Sequence, residues 1–130
     1  MARSYSARIT ALITGVQPKW LDNLLSRHDL PGIARSHQGV ERRISDDGVL
    51  AVELCRILNI ELGVSLARAA AIVDHCMEGP VDTELRYATE SGLLVSLSVQ
   101  ETRARLRERT MEAIDMVAIT PRGRPRLRQR

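Results

Sequence analysis

The chain has 130 residues, 44% of them hydrophobic, which suits one globular domain followed by a tail. No run approaches the roughly 18 apolar residues that cross a bilayer, and the opening residues lack the apolar stretch of a signal peptide, so a cytoplasmic protein with no membrane partner is expected. Only Tyr5, Trp20 and Tyr87 are aromatic, too few for a platform that stacks single-stranded nucleic acid, and the net charge is +3.

That charge is unevenly placed. Residues 1–45 carry seven Lys or Arg against three acids, residues 46–98 three against nine, residues 99–119 four against four, and residues 120–130 five Arg and no acid. Positive potential at both ends of the chain, separated by an acidic or neutral body, is the footprint of phosphate contacts and favours duplex DNA as the partner.

In chain order, Ser6 is a capping residue before a short first helix with Ile9, Leu12 and Ile13 on its apolar face. Gly15 supplies a tight turn, and Gln17-Pro18 opens a second helix running to Arg27, with Trp20, Leu21, Leu24 and Leu25 facing inward. Pro31-Gly32 stops it, and two short strands within Ile33–Ile44, joined near His37-Gln38-Gly39, predict a wing. Ser45-Asp46-Asp47 caps a third helix over Gly48–Leu62, with Val49, Val52, Leu54, Ile57, Leu58 and Ile60 as its apolar stripe. Gly63-Val64-Ser65 leads into a fourth helix, Leu66–Met77, ended by Gly79-Pro80. Period-two alternation over Leu85–Thr89 and Leu93–Val99 predicts a β-hairpin. Gln100–Ala118 is helical again, with Val99, Thr102, Leu106, Ala113 and Met116 along one seam able to pack internally or against a second copy. Arg103, Arg105, Arg107 and Arg109 are expected to lie on a solvated face of this helix.

Helix, glycine turn, helix, wing and two further helices can set one short helix in the major groove while wing arginines hold phosphates; the alternative is a helical domain that binds another protein. The residues Ile13-Thr14-Gly15-Val16, Leu21, Asp29-Leu30-Pro31, Gly39, Arg42-Arg43-Ile44-Ser45 and Gly63-Val64-Ser65-Leu66 resemble, in order and spacing, the MerR family of transcription regulators over roughly residues 5–77. The resemblance implies a mainly α protein with a winged helix-turn-helix, usually dimeric. It also implies Gln17, Lys19, Asn23 and Arg27 as DNA-facing positions of the recognition helix, and Arg35, Arg42 and Arg43 on or beside the wing. The family commonly has an Arg followed by aromatics after the recognition-helix Leu, where this chain has Asp22, Asn23 and Leu24, so base contacts and an operator sequence do not carry over. A metal-binding cysteine loop is also missing.

The segment Thr120–Arg126 contains Pro-Arg-Gly-Arg-Pro, which looks like an AT-hook. Pro121 and Pro125 favour an extended chain, Gly123 lets the backbone approach the groove floor, and Arg122, Arg124 and Arg126 match the negative minor groove of A·T-rich DNA. An arginine-rich solubilising or RNA-binding tail is the alternative.

Cys55 and Cys76 lie in helical patterns without metal spacing and are expected to be buried thiols; His28, His37 and His75 are dispersed. No phosphate loop, nucleophile elbow or H-E-x-x-H is present, so neither catalysis nor a cofactor is expected. The expected organisation is residues 1–79 as the DNA-binding domain, 80–119 as hairpin plus helix for dimerisation, and 120–130 as a flexible hook. Such a protein would be a homodimeric transcription regulator. An antitoxin with a toxin or other protein partner, and a nucleoid-associated organiser of A·T-rich DNA, remain alternatives.

Overall fold

The computed structural model describes residues 3–34, 42–78 and 84–119, and over these the protein is mixed α/β, dominated by helices with two small antiparallel sheets. Strand β1 (Ser4–Tyr5) leads into helix α1 (Ala7–Thr14), whose first turn is capped by the Ser6 hydroxyl accepting from the Ile9 N–H at 3.2 Å. Gly15 ends α1 at φ 75°, a left-handed conformation that favours glycine, and its N–H bonds to the Ala11 carbonyl at 2.8 Å.

The inward face of α1 differs from the expected one. Thr10, Ala11, Ile13 and Thr14 are buried, whereas Leu12 is 46% exposed. At about 100° per residue, Leu12 falls on the far side of the helix from Thr10 and Thr14. Both threonines tolerate burial because each hydroxyl donates to the carbonyl four residues back, at 2.9 and 2.8 Å.

Helix α2 (Pro18–Arg27) starts with its proline where no intrahelical N–H is needed, and buries Leu21, Leu24 and Leu25. Trp20 is half-buried, and its indole N–H donates to Asn59 Oδ1 at 2.9 Å. Strands β2 (Ile33–Ala34) and β3 (Arg43–Ser45) are antiparallel, with Ile33 opposite Ile44 and Ala34 opposite Arg43. The expected turn at His37-Gln38-Gly39 falls outside the described residues. The sheet order is β1-β3-β2, so β1 completes a third strand that the sequence pattern did not suggest.

Helix α3 (Asp46–Arg56) is the central element: every residue from Gly48 to Cys55 is buried. Ser45 caps it, accepting from the Gly48 N–H at 3.2 Å. The helix does not run evenly to Leu62 as expected. It gives way to a π-helical turn over Ile57–Glu61, where the wider turn alters the phase and leaves Ile60 54% exposed.

Helix α4 (Leu66–Cys76), capped by Ser65, buries Ala69, Ala70 and Val73. The hairpin pairs β4 (Glu84–Ala88) with β5 (Leu94–Ser98), Glu84 opposite Ser98 and Ala88 opposite Leu94. Helix α5 (Val99–Ile119) packs back onto α1 and α3. Its buried seam is Val99, Thr102, Leu106, Thr110 and Ala113, so this face is filled from within the chain. Leu85, Val99, Leu106 and Ala113 join the same core cluster as Ile13, Leu24, Ile44 and Leu50. Cys55 is buried and Cys76 half-buried, and they form no disulfide. No helix among the described residues is long and apolar enough to cross a membrane.

Candidate nucleic-acid interface

Helix α2 is anchored along one side by three leucines, and at its first turn by Trp20. The anchor is braced in turn, because Asn59 donates from Nδ2 to the Val64 carbonyl at 2.8 Å, so the amide that holds Trp20 is itself fixed. The opposite side of α2 is polar and open: Gln17, Lys19, Asn23 and Arg27 are all exposed. Lys19, Asn23 and Arg27 recur every four residues and form one stripe, and Gln17 precedes Pro18 at the helix start.

Asp22 lies beside that stripe and would repel phosphate if left alone. Arg42 Nη1 reaches its Oδ1 at 3.2 Å, tying the base of β3 to α2 and offsetting the acid's charge. Arg42 is therefore engaged within the fold.

Arg43 turns the other way. Its guanidinium donates to the Ser4 hydroxyl at 2.9 and 3.2 Å and to the Ser4 carbonyl at 3.3 Å, yet remains exposed. Arg3, Ser4 and Arg43 share the rim of a shallow hollow that reaches Ile114 on α5. Arg3 was not singled out from the sequence, and the only signal for it was its place in the basic N-terminal stretch. Next to it, Tyr5 donates to Asp46 Oδ1 at 2.9 Å; burial first, and then the Asp46 carboxylate, raise the phenol's pKa. Arg35 and the hook residues Arg122, Gly123, Arg124, Pro125 and Arg126 lie outside the described residues.

Behind the polar face lies a charge cluster that sequence reasoning missed. Glu53 is fully buried in the middle of α3. Arg56 meets it in a forked pair, Nε to Oε1 at 2.8 Å and Nη2 to Oε2 at 3.0 Å, while Arg105 and Arg109 of α5 approach Oε2 at 3.6 and 3.9 Å. Arg56 also reaches Glu61 in the π turn at 3.0 Å, and its pKa is raised, first by the hydrogen bond to Glu53. Arg103 pairs with Asp47 at 2.9 Å. The expectation of a solvated arginine face on α5 is thus corrected: Arg103, Arg105 and Arg109 clamp α5 to α3. Among the described residues Arg107 alone of the four makes no ion pair.

Cys55 is inert by environment, since burial pushes its thiol up to about 12. Among the described residues no group of three or more His, Cys, Asp or Glu side chains is placed to hold a metal ion. Compared with protein-family models, with curated proteins and with solved structures, the chain matches none.

Proposed function

We propose that the protein binds duplex DNA as a homodimeric, MerR-like transcription regulator, with α2 in the major groove and the segment between β2 and β3 as a wing. The observation that carries this reading is the outer face of α2, where Gln17, Lys19, Asn23 and Arg27 are exposed together on a helix whose other face is anchored in the core. A rigid helix with long donor side chains on one side suits base-edge and phosphate contacts. The Arg42–Asp22 pair supports it by offsetting the acidic charge beside that face. The Pro-Arg-Gly-Arg-Pro sequence at Pro121–Pro125 adds a minor-groove contact tethered to the same domain, which raises its local concentration at the site.

The dimer part of the reading draws on the outer strip of α5. Met111 is 66% and Ile114 40% exposed, and Arg107 and Asp115 stand four residues to either side of Met111. An antiparallel copy centred on Met111 would set each Arg107 opposite the other chain's Asp115. Two recognition helices would then face half-sites about 34 Å apart.

The test is selection of bound duplexes from random DNA by the full chain, followed by anisotropy titrations over a range of salt. A palindromic site flanked by A·T tracts is expected. Lys19→Ala with Arg27→Ala should weaken binding at the site, and Arg122→Ala with Arg124→Ala should weaken it only where an A·T tract is present. Each lost phosphate contact should flatten the log–log salt slope by about 0.9. Recovery of no enriched sequence, or unchanged affinity in both double variants, would overturn the reading.

A further inference from the structure

We propose that the groove between α4 and β4 is a docking site for a protein partner, which it holds as an acidic extended segment added to the outer edge of β4. This goes beyond DNA binding and uses none of the residues assigned to it. Among the described residues β4 pairs with β5 alone, and no described strand pairs with its other edge. Such an edge presents a row of backbone donors and acceptors that template another strand.

Along this edge runs an open cavity of about 860 Å³, touched by all five residues of β4 and none of β5. Side chains of a strand alternate between its faces, so a cavity met by five consecutive residues follows the edge rather than a face. Its far wall is one side of α4, where Arg68, Ile72, His75 and Cys76 recur at helical spacing. At about 3.3 Å per residue, β4 offers room for a segment of five or six residues.

The charge of the groove selects the occupant. Residues 46–98 carry nine acids and only three arginines, Arg56, Arg68 and Arg86. Two of those three line the groove, with one acid among the described residues, Glu84. Glu84 is already engaged, by the Ser96 hydroxyl and by Arg86 at 3.7 Å. Arg68 lies over the Tyr87 ring at 5.9 Å from its centroid. By strand alternation Arg86 marks the polar face of β4 with Glu84, while Leu85 and Tyr87 mark the other, with Arg68 over the Tyr87 ring and Ile72 across the groove. Acidic residues alternating with apolar ones in the incoming strand match both features. A second copy of β4 fits less well, because it carries its own α4 along the edge that would have to pair.

The experiment is panning of phage-displayed random octapeptides against the full chain. Enriched peptides are then synthesised with a fluorophore for anisotropy titration, and hydrogen–deuterium exchange is measured with and without peptide. Enriched sequences should carry Asp or Glu at alternate positions, and their binding should protect those amides of residues 84–88 that point away from β5. Affinity should fall at least about tenfold in R68E/R86E and persist in R68K/R86K. Should R68E/R86E lose its fold, Arg68→Gln alone should still weaken binding, since Arg68 is exposed on α4. The proposal is overturned if no peptide is enriched over bare support, if binding ignores these substitutions, or if the β4 amides stay unprotected. Protection of those amides in the free chain that rises with protein concentration would also overturn it, assigning the edge to a second copy. DNA affinity should not change in any of these variants, so the two readings fail separately.

Discussion

Replacing Glu53 with Gln keeps the shape of the side chain and removes the charge at the centre of the α3–α5 clamp. At an effective dielectric of about 20, unit charges about 3 Å apart attract by roughly 5 kcal/mol and those about 4 Å apart by roughly 4 kcal/mol. These gross attractions are largely offset by the cost of taking a carboxylate out of water, and breaking a buried pair by removing one partner costs about 3–5 kcal/mol. The low end applies here. Arg105 and Arg109 side chains are 46% and 41% exposed and can rehydrate, and Arg56 keeps Glu61. Glu53→Gln should therefore destabilise by about 3 kcal/mol, which for a domain of this size lowers Tm by roughly 10 °C. Thermal and urea unfolding followed by circular dichroism would measure it at low and high salt. Because the Glu53 side chain is fully buried, the deficit should persist at high salt. A loss under about 0.5 kcal/mol, or one that disappears in salt, would show that the clamp contributes no more than a surface pair and that α5 is held by its apolar seam alone.

Asp22→Asn should change stability by less than about 1 kcal/mol, since the Asp22 side chain is 72% exposed, while raising DNA affinity by freeing Arg42 and removing an acid; anisotropy titration reads the sign. Gly32→Ala should be far more damaging than Gly15→Ala. Both sit at positive φ, but a Cβ on Gly32 meets the Gly48 nitrogen at 2.3 Å and the Ser45 hydroxyl at 2.6 Å, whereas Gly15 faces open space. Gly15→Ala should cost about 1–2 kcal/mol of strain and Gly32→Ala enough to detach β2 from the start of α3, as urea unfolding would register. The Cys55 thiol is raised from 9.0 to about 12 in the fold, so the unfolded chain loses that proton first. Stability should be full below about pH 9 and fall as pH rises towards 12. Cys55→Ala should remove that part of the alkaline slope, leaving the part due to Tyr5.

Where local chemistry decides the outcome, the sequence was legible. Ser6, Ser45 and Ser65 cap helices because a short hydroxyl side chain before an amphipathic run has few better partners, and Pro18 and Gly15 punctuate the chain for equally local reasons. The hairpin followed from alternation alone. What depended on distant partners was not legible. Glu53 sits in an apolar run of α3 and gains meaning only when α5 returns to it, more than fifty residues later. Thr10 and Thr14 look polar in a list of letters and are apolar in effect once their hydroxyls are bonded to the backbone. Of the residues proposed to face DNA, Gln17, Lys19, Asn23 and Arg27 fall together along α2 and just before its first residue. Arg42 and Arg43 are neighbours in sequence but diverge to Asp22 and Ser4.

The π turn at Ile57–Glu61 makes the length of this segment matter as well as its composition. Glu53 before the turn must face α5, while Asn59 within it must face Trp20, and both conditions are met on one continuous stretch of backbone. The turn accommodates one residue beyond regular helical winding, as the Leu62 N–H bonding to the Ile57 carbonyl five residues back records. Deleting a single residue there would restore regular winding and leave the flanking backbone close to its register, while moving Asn59 from its place on the turn. Trp20 would lose its acceptor while the contacts of Glu53 with Arg105 and Arg109 stayed intact. The segment acts as a phase adjuster between the face offered by α2 and the brace supplied by α5.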